Sequence, residues 1–530
     1  MPTRRFTRSQ HYLLPPSSDE WLPRDHPARF IAEVLDSWDA PTWRQVGITD
    51  AAPTGAPRYD PAMLLALWVY GFLDGRRSSR AIERECWSDL AYRWLSGNQQ
   101  PDHNTLHRFY QQHRETMHQV FRQTVRIAMA SGLVDWTLQA IDGTKLVANA
   151  SPDQSLTATQ LAAVMAHTER AIAELDAQQG SDGEAGSPAM PPALVDATER
   201  RRRIAAAQAM LTTEPASTEP ASTEPAARTV APELVEAMAR RARIEAAQAM
   251  LAADPKQTKA NLTDPEARII KTRRGRVPAY NAQAVVARLA TPAGAPDGRI
   301  ILAAEVTATV TDQGLLPVMV AALAETTGRV PAVVAADKGY HDAASLTAVA
   351  ERPLTVVMPE PERTAPTRTT PDCFPLTRFR YHPDTDTFTC PADHVLTFRG
   401  LTRREGRAEE RRYRAAVADC RSCPLRDHCL RPSERSRVLA VPAGIAALTA
   451  HRTWMATEEA QALSHRRGPL IEPVFGAIKE QFGLRRVATR GLANVQGEWQ
   501  LAASVFNLRS LWRQWRAGRL VIAGGLLTRA

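Results

Sequence analysis

The chain has 530 residues, enough for several domains at roughly 100–200 residues each. Apolar residues make up 44% of it, which fits a globular protein, and no stretch approaches the ~18 apolar residues of a membrane span. The start of the chain is basic but lacks an apolar segment, so the sequence predicts neither a secretory signal nor a membrane partner. We expect a cytoplasmic protein.

The formal net charge is +9, and most of the excess lies in the C-terminal part. Residues 399–437 carry 12 basic and 6 acidic side chains, and residues 465–516 carry 9 and 3. A solvated surface explains either cluster alone. Two clusters in succession favour a polyanionic partner such as nucleic acid.

Residues 1–135 are predicted to be helical throughout. Asp60 and Pro61 suit the N-cap and the first position of a helix, residues 78–97 predict two short helices, and residues 101–132 predict one long helix. Short helices joined by tight turns are typical of helix-turn-helix DNA-binding modules and equally of ordinary bundles, so both interpretations stay open. Candidate DNA-contacting residues here are Arg76, Arg77 and Arg80.

An alternating apolar strand follows, with Asp142 near its end. Residues 153–262 then become rich in alanine and charge, and residues 193–211 recur as residues 233–251. A proline-punctuated, low-complexity linker separates the two copies. We interpret residues 153–262 as an inserted helical segment, a hairpin or a coiled coil, and not as a catalytic part.

Strands and helices alternate in residues 263–360. Together with a strand in residues 136–152 their order predicts an α/β domain with a mixed sheet. Residues 361–440 break this pattern and carry five of the six cysteines, and residues 441–530 return to helix with a basic tail. We therefore predict a helical N-terminal domain, an α/β core built from three sequence segments, and two insertions.

Three acidic residues are the candidate catalytic groups. Asp142 and Asp337 each follow an apolar strand and precede a glycine within two residues, and Glu472 lies on a later helix. Converging carboxylates suit Mg²⁺, which prefers oxygen ligands, and two such ions can stabilise the attacking and leaving oxygens of a phosphodiester. Competing acids are Glu480, Asp342 and Glu305.

Several blocks of the sequence resemble one known family. They are "IDGTKLVANAS" (141–151), "VVAADKGYHD" (333–342) and the stretch beginning "IEPVFGAIKEQFGLRRVATRG" (471–511). These are similar to the three catalytic blocks of the DDE transposases of bacterial insertion sequences. Residues 58–87 with "PDHNTLHRF" (101–109) resemble the N-terminal helical domain of one branch of that family.

This resemblance covers residues 20–150 and 262–515 and implies an α/β RNase H-like core with a mixed five-stranded sheet. It implies that Asp142, Asp337 and Glu472 bind two Mg²⁺ or Mn²⁺ ions. The reaction would be cleavage at the ends of the element and strand transfer into target DNA. The partners would be double-stranded DNA, namely the terminal inverted repeats and the target, bound by a homodimer at the bacterial nucleoid.

Basic residues around Glu472 complete the predicted DNA-binding surface. The resemblance gives Lys479, seven residues after Glu472, a contact with DNA. The arginines expected to face the phosphate backbone are Arg466, Arg467, Arg485, Arg486 and Arg490. This sequence departs from the family at two positions, where His465 and Gly468 replace a tyrosine and an arginine, which puts the tyrosine's DNA contact in doubt.

Four cysteines form a second candidate site. Cys390 precedes the C-x₂-C pair Cys420 and Cys423, and Cys429 follows. Four thiolates fill tetrahedral zinc, and disulfides are not expected in a cytosolic chain. A structural Zn²⁺ and reduced, partly buried thiols are the two hypotheses, and His394 or His428 could replace one ligand. Cys86 and Cys373 have no evident partners and are predicted to be structural.

Three functions stay open at this point. A DDE transposase is the leading hypothesis. A metal-dependent nuclease of the same fold would share the acidic residues but lack strand transfer. A catalytically impaired DNA-binding protein derived from a transposase would keep the helical domain, although the three intact acids argue against it.

Overall fold

A computed structural model describes residues 17–48, 59–181, 232–254, 257–272, 275–290, 298–361, 373–403, 409–523 and 526–529. The chain forms two compact units. The first comprises residues 1–48, 61–147 and 280–530, and the second comprises residues 49–60 and 148–279. No helix in the described ranges is long and apolar enough to cross a membrane. The first copy of the duplicated segment (193–211) lies outside these ranges.

The N-terminal part of the first unit is helical. Its helices are α1 (Ser18–Trp21), α2 (Pro27–Asp36), α3 (Ala40–Val46), α4 (Pro61–Leu73), α5 (Ser79–Ser88), α6 (Leu90–Leu95), α7 (His103–His113) and α8 (Met117–Ala130). Helix α4 begins at Pro61 as predicted, and the predicted pair of short helices is α5 and α6. Asp89 separates that pair, because its carboxylate accepts hydrogen bonds from the first amides of α6.

The single long helix predicted for residues 101–132 is wrong, because α7 ends at His113 and α8 starts at Met117. Both the amide and the hydroxyl of Thr116 donate to the His113 carbonyl, which closes a turn in place of a helical bond. The Arg114 carbonyl in this turn lies against Gly497, where an added Cβ would be 2.4 Å from it. Only glycine permits that approach.

The central part of the chain supplies most strands. They are β1 (Val134–Val147), β2 (Ser155–Leu156), β3 (Ala260–Asn261), β4 (Arg268–Thr272), β5 (Gly275–Leu289), β6 (Arg299–Thr307), β7 (Val333–Ala335) and β8 (Thr355–Val357). The helices among them are α9 (Ala158–Ser181), α10 (Pro232–Ala253), α11 (Leu315–Thr327) and α12 (Ala343–Ala350).

The C-terminal part begins with a small sheet and ends with long helices. Its elements are β9 (Arg380–His382), β10 (Thr387–Thr389), β11 (Val395–Thr402), β12 (Glu410–Ala415), α13 (Val417–Arg421), β13 (Val438–Pro442), α14 (Ile445–Met455), α15 (Glu458–Gly476), a π-helical turn (Ala477–Gln481), α16 (Leu492–Arg516), β14 (Leu520–Ala523) and β15 (Leu526–Arg529). Strands β9 to β13 form an antiparallel sheet in the order β13-β12-β11-β10-β9.

A mixed sheet organises the first unit, in the order β6-β5-β1-β7-β8. Strands β5 and β6 are antiparallel, whereas β1, β7 and β8 run parallel. Helix α16 covers the β5–β6 side of this sheet. The Asn507 side chain bonds both the amide and the carbonyl of Ile301 on β6, and the Trp499 indole donates to the Gln283 carbonyl on β5. These bonds satisfy backbone groups that would otherwise be buried without partners.

In the second unit, α9 and α10 pack against each other and against the short strands β2 and β3. Its small core contains Leu161, Ile244, Ala247, Ala260 and Leu262. Strands β2 and β3 are antiparallel, and β4 forms an antiparallel hairpin with the first residues of β5. With β4 included, the mixed sheet has six strands in the described residues instead of the predicted five. The prediction missed β4 because it is short and only partly apolar. The second copy of the duplication lies within α10.

Candidate active site

Strands β1 and β7 bring Asp142 and Asp337 together. In this parallel pair Gln139 is opposite Val334 and Ala140 is opposite Ala335, so each aspartate follows its partnered alanine by two residues. Asp337 follows β7 as predicted and caps the short helical turn Lys338–Tyr340. The prediction that Asp142 ends its strand is wrong. Strand β1 continues to Val147, which forms a parallel bridge with Arg486.

The Asp142 carboxylate is mostly buried and has two partners. Its Oδ1 accepts a hydrogen bond from the Gly143 amide at 2.7 Å, and its Oδ2 lies 2.8 Å from Nη1 of Arg467 on α15. Burial raises the pKa of Asp142, Arg467 opposes that shift, and the negative charge of Asp337 adds to it. The site therefore holds more negative charge than Arg467 alone neutralises.

Glu472 lies on the exposed side of α15, and a glycine and two prolines lie near it on the same helix. A Cβ at Gly468 would be 3.2 Å from the Glu472 carboxylate, so glycine leaves room for that side chain to lie back along the helix. Pro473 has no amide to donate to the Pro469 carbonyl, and Arg299 Nη2 donates to it instead at 2.8 Å. The proline beside Glu472 is thus accommodated without an unpaired carbonyl.

A polar network that the sequence analysis missed lies beside the two aspartates. Asp312 Oδ1 accepts hydrogen bonds from Asn281 Nδ2 at 2.7 Å and Gln283 Nε2 at 2.9 Å, and Lys145 Nζ lies 3.4 Å away. The Tyr340 hydroxyl donates to Gln283 Oε1. One signal was available, since Asn281 and Gln283 are polar residues two apart in an otherwise apolar strand and so face one side.

The three competing acids have other partners. Glu480 pairs with Arg485 on the surface, and Asp342 caps α12 by accepting from the Ser345 amide. Glu305 on β6 accepts from Gln496, and burial raises its pKa to about 7. Glu480 lies within the π-helical turn Ala477–Gln481, so the ideal-helix angle expected between it and Glu472 does not apply.

The predicted DNA-contacting residues near the N-terminal helices differ in their surroundings. Arg77 donates to the buried carboxylate of Glu498 at 3.0 Å and to the backbone carbonyls of Gly483 and Arg486. This arrangement gives Arg77 a structural role. Arg76 is exposed and pairs with Glu85 at 3.2 Å. Arg80 is exposed.

The basic residues around Glu472 lie mainly on the surface. Those with exposed side chains are Arg466, Arg485, Arg486 and Arg490, and Lys479 is half-buried. Arg467 is mostly buried through its bond with Asp142. The backbone of Arg486 forms a bridge with Val147 at the end of β1, which fixes this basic segment next to the strand that carries Asp142.

Four cysteines line one small cavity, of about 20 Å³, beside the C-terminal sheet: Cys390, Cys420, Cys423 and Cys429. His394 lines it too, whereas the His428 ring lies beside Phe374. Burial raises the pKa of Cys429 to about 11, with the other three thiols adding to the shift and Arg437 opposing it. Cys86 is buried elsewhere, and burial raises its pKa to about 12.

None of these clusters is a ready-made metal site. In the ranges that the structure describes, no group of three or more His, Cys, Asp or Glu side chains is arranged to hold an ion as it stands. Asp142 and Asp337 are brought together, and the four thiols share a cavity, but Glu472 is on the neighbouring helix without a direct bond to either aspartate among the described contacts.

Comparison with known families adds two matches. A family model described as "Transposase DDE domain" matches residues 389–512, and one described as "Transposase domain (DUF772)" matches residues 16–112. No curated protein and no solved structure matches the chain. The first match includes the cysteines, Glu472 and Lys479, and the second includes the N-terminal helices. Asp142 and Asp337 lie outside both matches.

Proposed function

Since this chain belongs to the DDE transposases of the insertion-sequence type, we propose that it cuts DNA at the ends of its element and joins the freed ends to target DNA. One observation carries the proposal. Asp142 within β1 and Asp337 just after β7 each lie two residues beyond a paired alanine of these adjacent parallel strands, which brings the two aspartates close together. Glu472 reaches the same unit from α15, within the DDE domain match.

The sheet supports an RNase H-like core. Antiparallel β5 and β6 lie beside the parallel strands β1, β7 and β8, with helix α11 between β6 and β7. This is the mixed arrangement that the resemblance implies. We further propose that the Ala-rich segment 153–262 and the Cys-rich segment 361–440 are insertions into that core.

The donor groups fit a pair of divalent cations. Asp142, Asp337 and Glu472 offer only oxygen ligands, which Mg²⁺ and Mn²⁺ prefer. The raised pKa of Asp142 reflects burial and the nearby charge of Asp337, and a cation would relieve both. When bound, such ions activate water and stabilise the attacking and leaving oxygens of the phosphodiester. We propose that these three carboxylates hold them.

The protein's own groups then bind and orient the DNA. The side chains of Arg466, Arg485 and Arg490 are exposed, Arg485 with Glu480 as its partner, and guanidinium groups bind phosphate oxygens. We propose that Lys479 contacts the backbone near the cleaved bond. Arg467 forms an ion pair with Asp142 in this structure. When a cation binds Asp142, the Arg467 guanidinium must therefore move away or share the carboxylate with the cation.

DNA is the substrate that the family implies, and two ends of one element must be cut and joined together. We therefore propose a homodimer on DNA, acting at the nucleoid, in which each subunit contributes one set of carboxylates. The exposed basic residues near Glu472 support contact with terminal repeats and with target DNA.

A cleavage assay tests the proposal. Full-length protein would be mixed with supercoiled plasmid carrying the element's own ends, in Mg²⁺, in Mn²⁺, and with EDTA. We expect nicking at the ends followed by joining, both abolished by EDTA. Nicking without joining would point to a nuclease, and specific end binding without nicking would point to an impaired DNA-binding protein.

We also propose that Cys390, Cys420, Cys423 and Cys429 bind one structural Zn²⁺. The cavity they share supports this, as do the tight turns after Cys390 and Cys423, where the cysteine carbonyls accept from the amides of Asp393 and Arg426. Binding requires small side-chain rotations, since the thiols are not preset as a metal site. Zinc would hold the thiolate form that burial otherwise disfavours.

Replacing one of these cysteines should remove the metal. We expect wild type purified in reducing buffer to contain about one zinc per chain by elemental analysis, and Cys423→Ser to contain far less. Cys423→Ser should also unfold at a lower temperature, because structural zinc contributes to folding free energy. Cys373→Ser is the matched control and should keep both properties. If the purified wild type contains no zinc and melts at the same temperature as Cys423→Ser, the four cysteines are reduced thiols without a metal.

A further inference from the structure

Asp312 lies in the turn between β6 and α11, where side chains from β1 and β5 bond its carboxylate. Its side chain is 22% exposed, and its Oδ1 atom accepts from two amide groups and faces Lys145. All three donors converge on this one oxygen, and the negative charge of the carboxylate strengthens the hydrogen bonds and attracts the Lys145 ammonium group, which a neutral side chain of the same size would not do. The charge of Asp312 is therefore matched to its surroundings.

The Asp312 carboxylate lies between the two chain segments that carry the candidate catalytic aspartates. A Cβ added to Gly143, which follows Asp142, would lie 2.9 Å from Asp312 Oδ1. A Cβ added to Gly339, two residues after Asp337, would lie 3.5 Å from Asp312 Oδ2. One oxygen thus borders the Asp142 strand, and the other borders the Asp337 turn.

Hydrogen bonds join the same two segments through strand β5. Lys145, three residues after Asp142 on β1, reaches Asp312 at one end. Tyr340, in the turn that Asp337 caps, donates to Gln283 at the other. Because the Gln283 oxygen accepts from Tyr340, its amide nitrogen is directed at Asn281 and Asp312. Fully paired buried networks of this kind hold their members in one geometry.

We propose that Asp312 is a positioning residue that sets the separation of Asp142 and Asp337 for cation binding. The inference rests on the proposed function, because it concerns the same carboxylates. Asp312 acts through the network and has no direct role on DNA. It is distinct from the competing acids that the sequence suggested: Glu480 and Glu305 have partners elsewhere, and Asp342 caps α12 and accepts from the Gly314 amide.

Replacing Asp312 by asparagine should weaken cation binding more than it weakens the fold. Asparagine can keep its amide oxygen on the two amide donors but loses the negative charge that attracts Lys145, so the link between Asp312 and β1 weakens and the two aspartates lose their fixed spacing. Partners that orient metal ligands typically contribute roughly 10–100-fold in metal affinity. We expect the Mn²⁺ dissociation constant of Asp312→Asn to rise by about that factor.

Titration of the full chain with Mn²⁺ measures this dissociation constant without any need for cleavage. The electron paramagnetic resonance signal of the free ion reports how much Mn²⁺ remains unbound. Asp142→Asn is the reference for loss of a ligand. Asp102→Asn is the matched control, because it changes an aspartate that caps α7 by accepting from the Thr105 amide, away from the network. Thermal unfolding of each variant, recorded in EDTA, separates stability from affinity.

A weaker Mn²⁺ affinity for Asp312→Asn, with a melting temperature close to that of Asp102→Asn, supports the inference. Wild-type affinity in Asp312→Asn overturns it. If Asp312→Asn fails to fold, Tyr340→Phe removes only the far bond of the network and should shift Mn²⁺ affinity in the same direction. No shift in Tyr340→Phe overturns the inference.

The same titration separates this inference from the proposed function. Mn²⁺ binding that depends on Asp142 and Asp312, in a protein that does not cleave DNA, would sustain the inference and remove the cleavage proposal. A wild type that binds no Mn²⁺ removes both.

Discussion

Glu472→Gln is expected to abolish cleavage at the element's ends while leaving DNA binding and stability intact. The side chain is exposed on α15, so glutamine meets no packing barrier. Glutamine keeps the shape and the hydrogen-bonding capacity of glutamate but removes the charge that a cation needs. Losing a group that acts together with other catalytic groups typically lowers the rate by on the order of 10³-fold or more. Nicking of the supercoiled donor plasmid, with end binding measured by gel shift, records both properties.

Glu480→Gln is the matched control for this experiment. Glu480 is an exposed glutamate eight residues further on and pairs with Arg485 on the surface, where ion pairs contribute little to stability. We expect this variant to cleave at close to the wild-type rate. Cleavage retained in Glu472→Gln but lost in Glu480→Gln would transfer the third carboxylate to Glu480.

The positions of the two aspartates could be predicted because the signal is local. An apolar run followed by an acid and a glycine describes the end of a buried strand, and this held for Asp337 after β7. It failed in detail for Asp142, which lies inside a strand that continues for five more residues. The last residue of the strand, Val147, bridges Arg486, which is far away in sequence, and no local pattern contains that contact.

Charge alone could not separate exposed arginines from arginines that are bonded to buried carboxylates. Arg466 and Arg467 are adjacent in sequence, yet one is exposed and the other is bonded to Asp142. Likewise Arg76 and Arg77 differ, because one lies on the surface and the other reaches a buried glutamate. Which side of a helix faces the protein depends on packing between segments hundreds of residues apart. For the same reason Asp312 was missed, since its partners lie on β1 and β5.

Glu498→Ala is expected to destabilise the first unit by about 3–5 kcal/mol, the usual cost of removing one partner of a buried ion pair. The Glu498 side chain is 2% exposed and accepts hydrogen bonds from the Ala488 amide, from the amide and hydroxyl of Thr489, and from Arg77. Alanine would leave these donors and the Arg77 charge without their acceptor. Denaturant unfolding followed by circular dichroism measures the loss, and Arg76→Ala, at an exposed ion pair, should change stability far less.

Arg77→Ala distinguishes the structural role of this pair from DNA contact. The Glu498 carboxylate would keep its backbone donors, so we expect a smaller loss of stability than in Glu498→Ala. Arg77 also bonds the carbonyls of Gly483 and Arg486, and its loss should loosen the segment that carries the basic residues beside Glu472. DNA affinity should then fall in Glu498→Ala as well as in Arg77→Ala, because both variants release that segment. A fall in Arg77→Ala alone, with unchanged stability, would instead place Arg77 on the DNA as the sequence predicted.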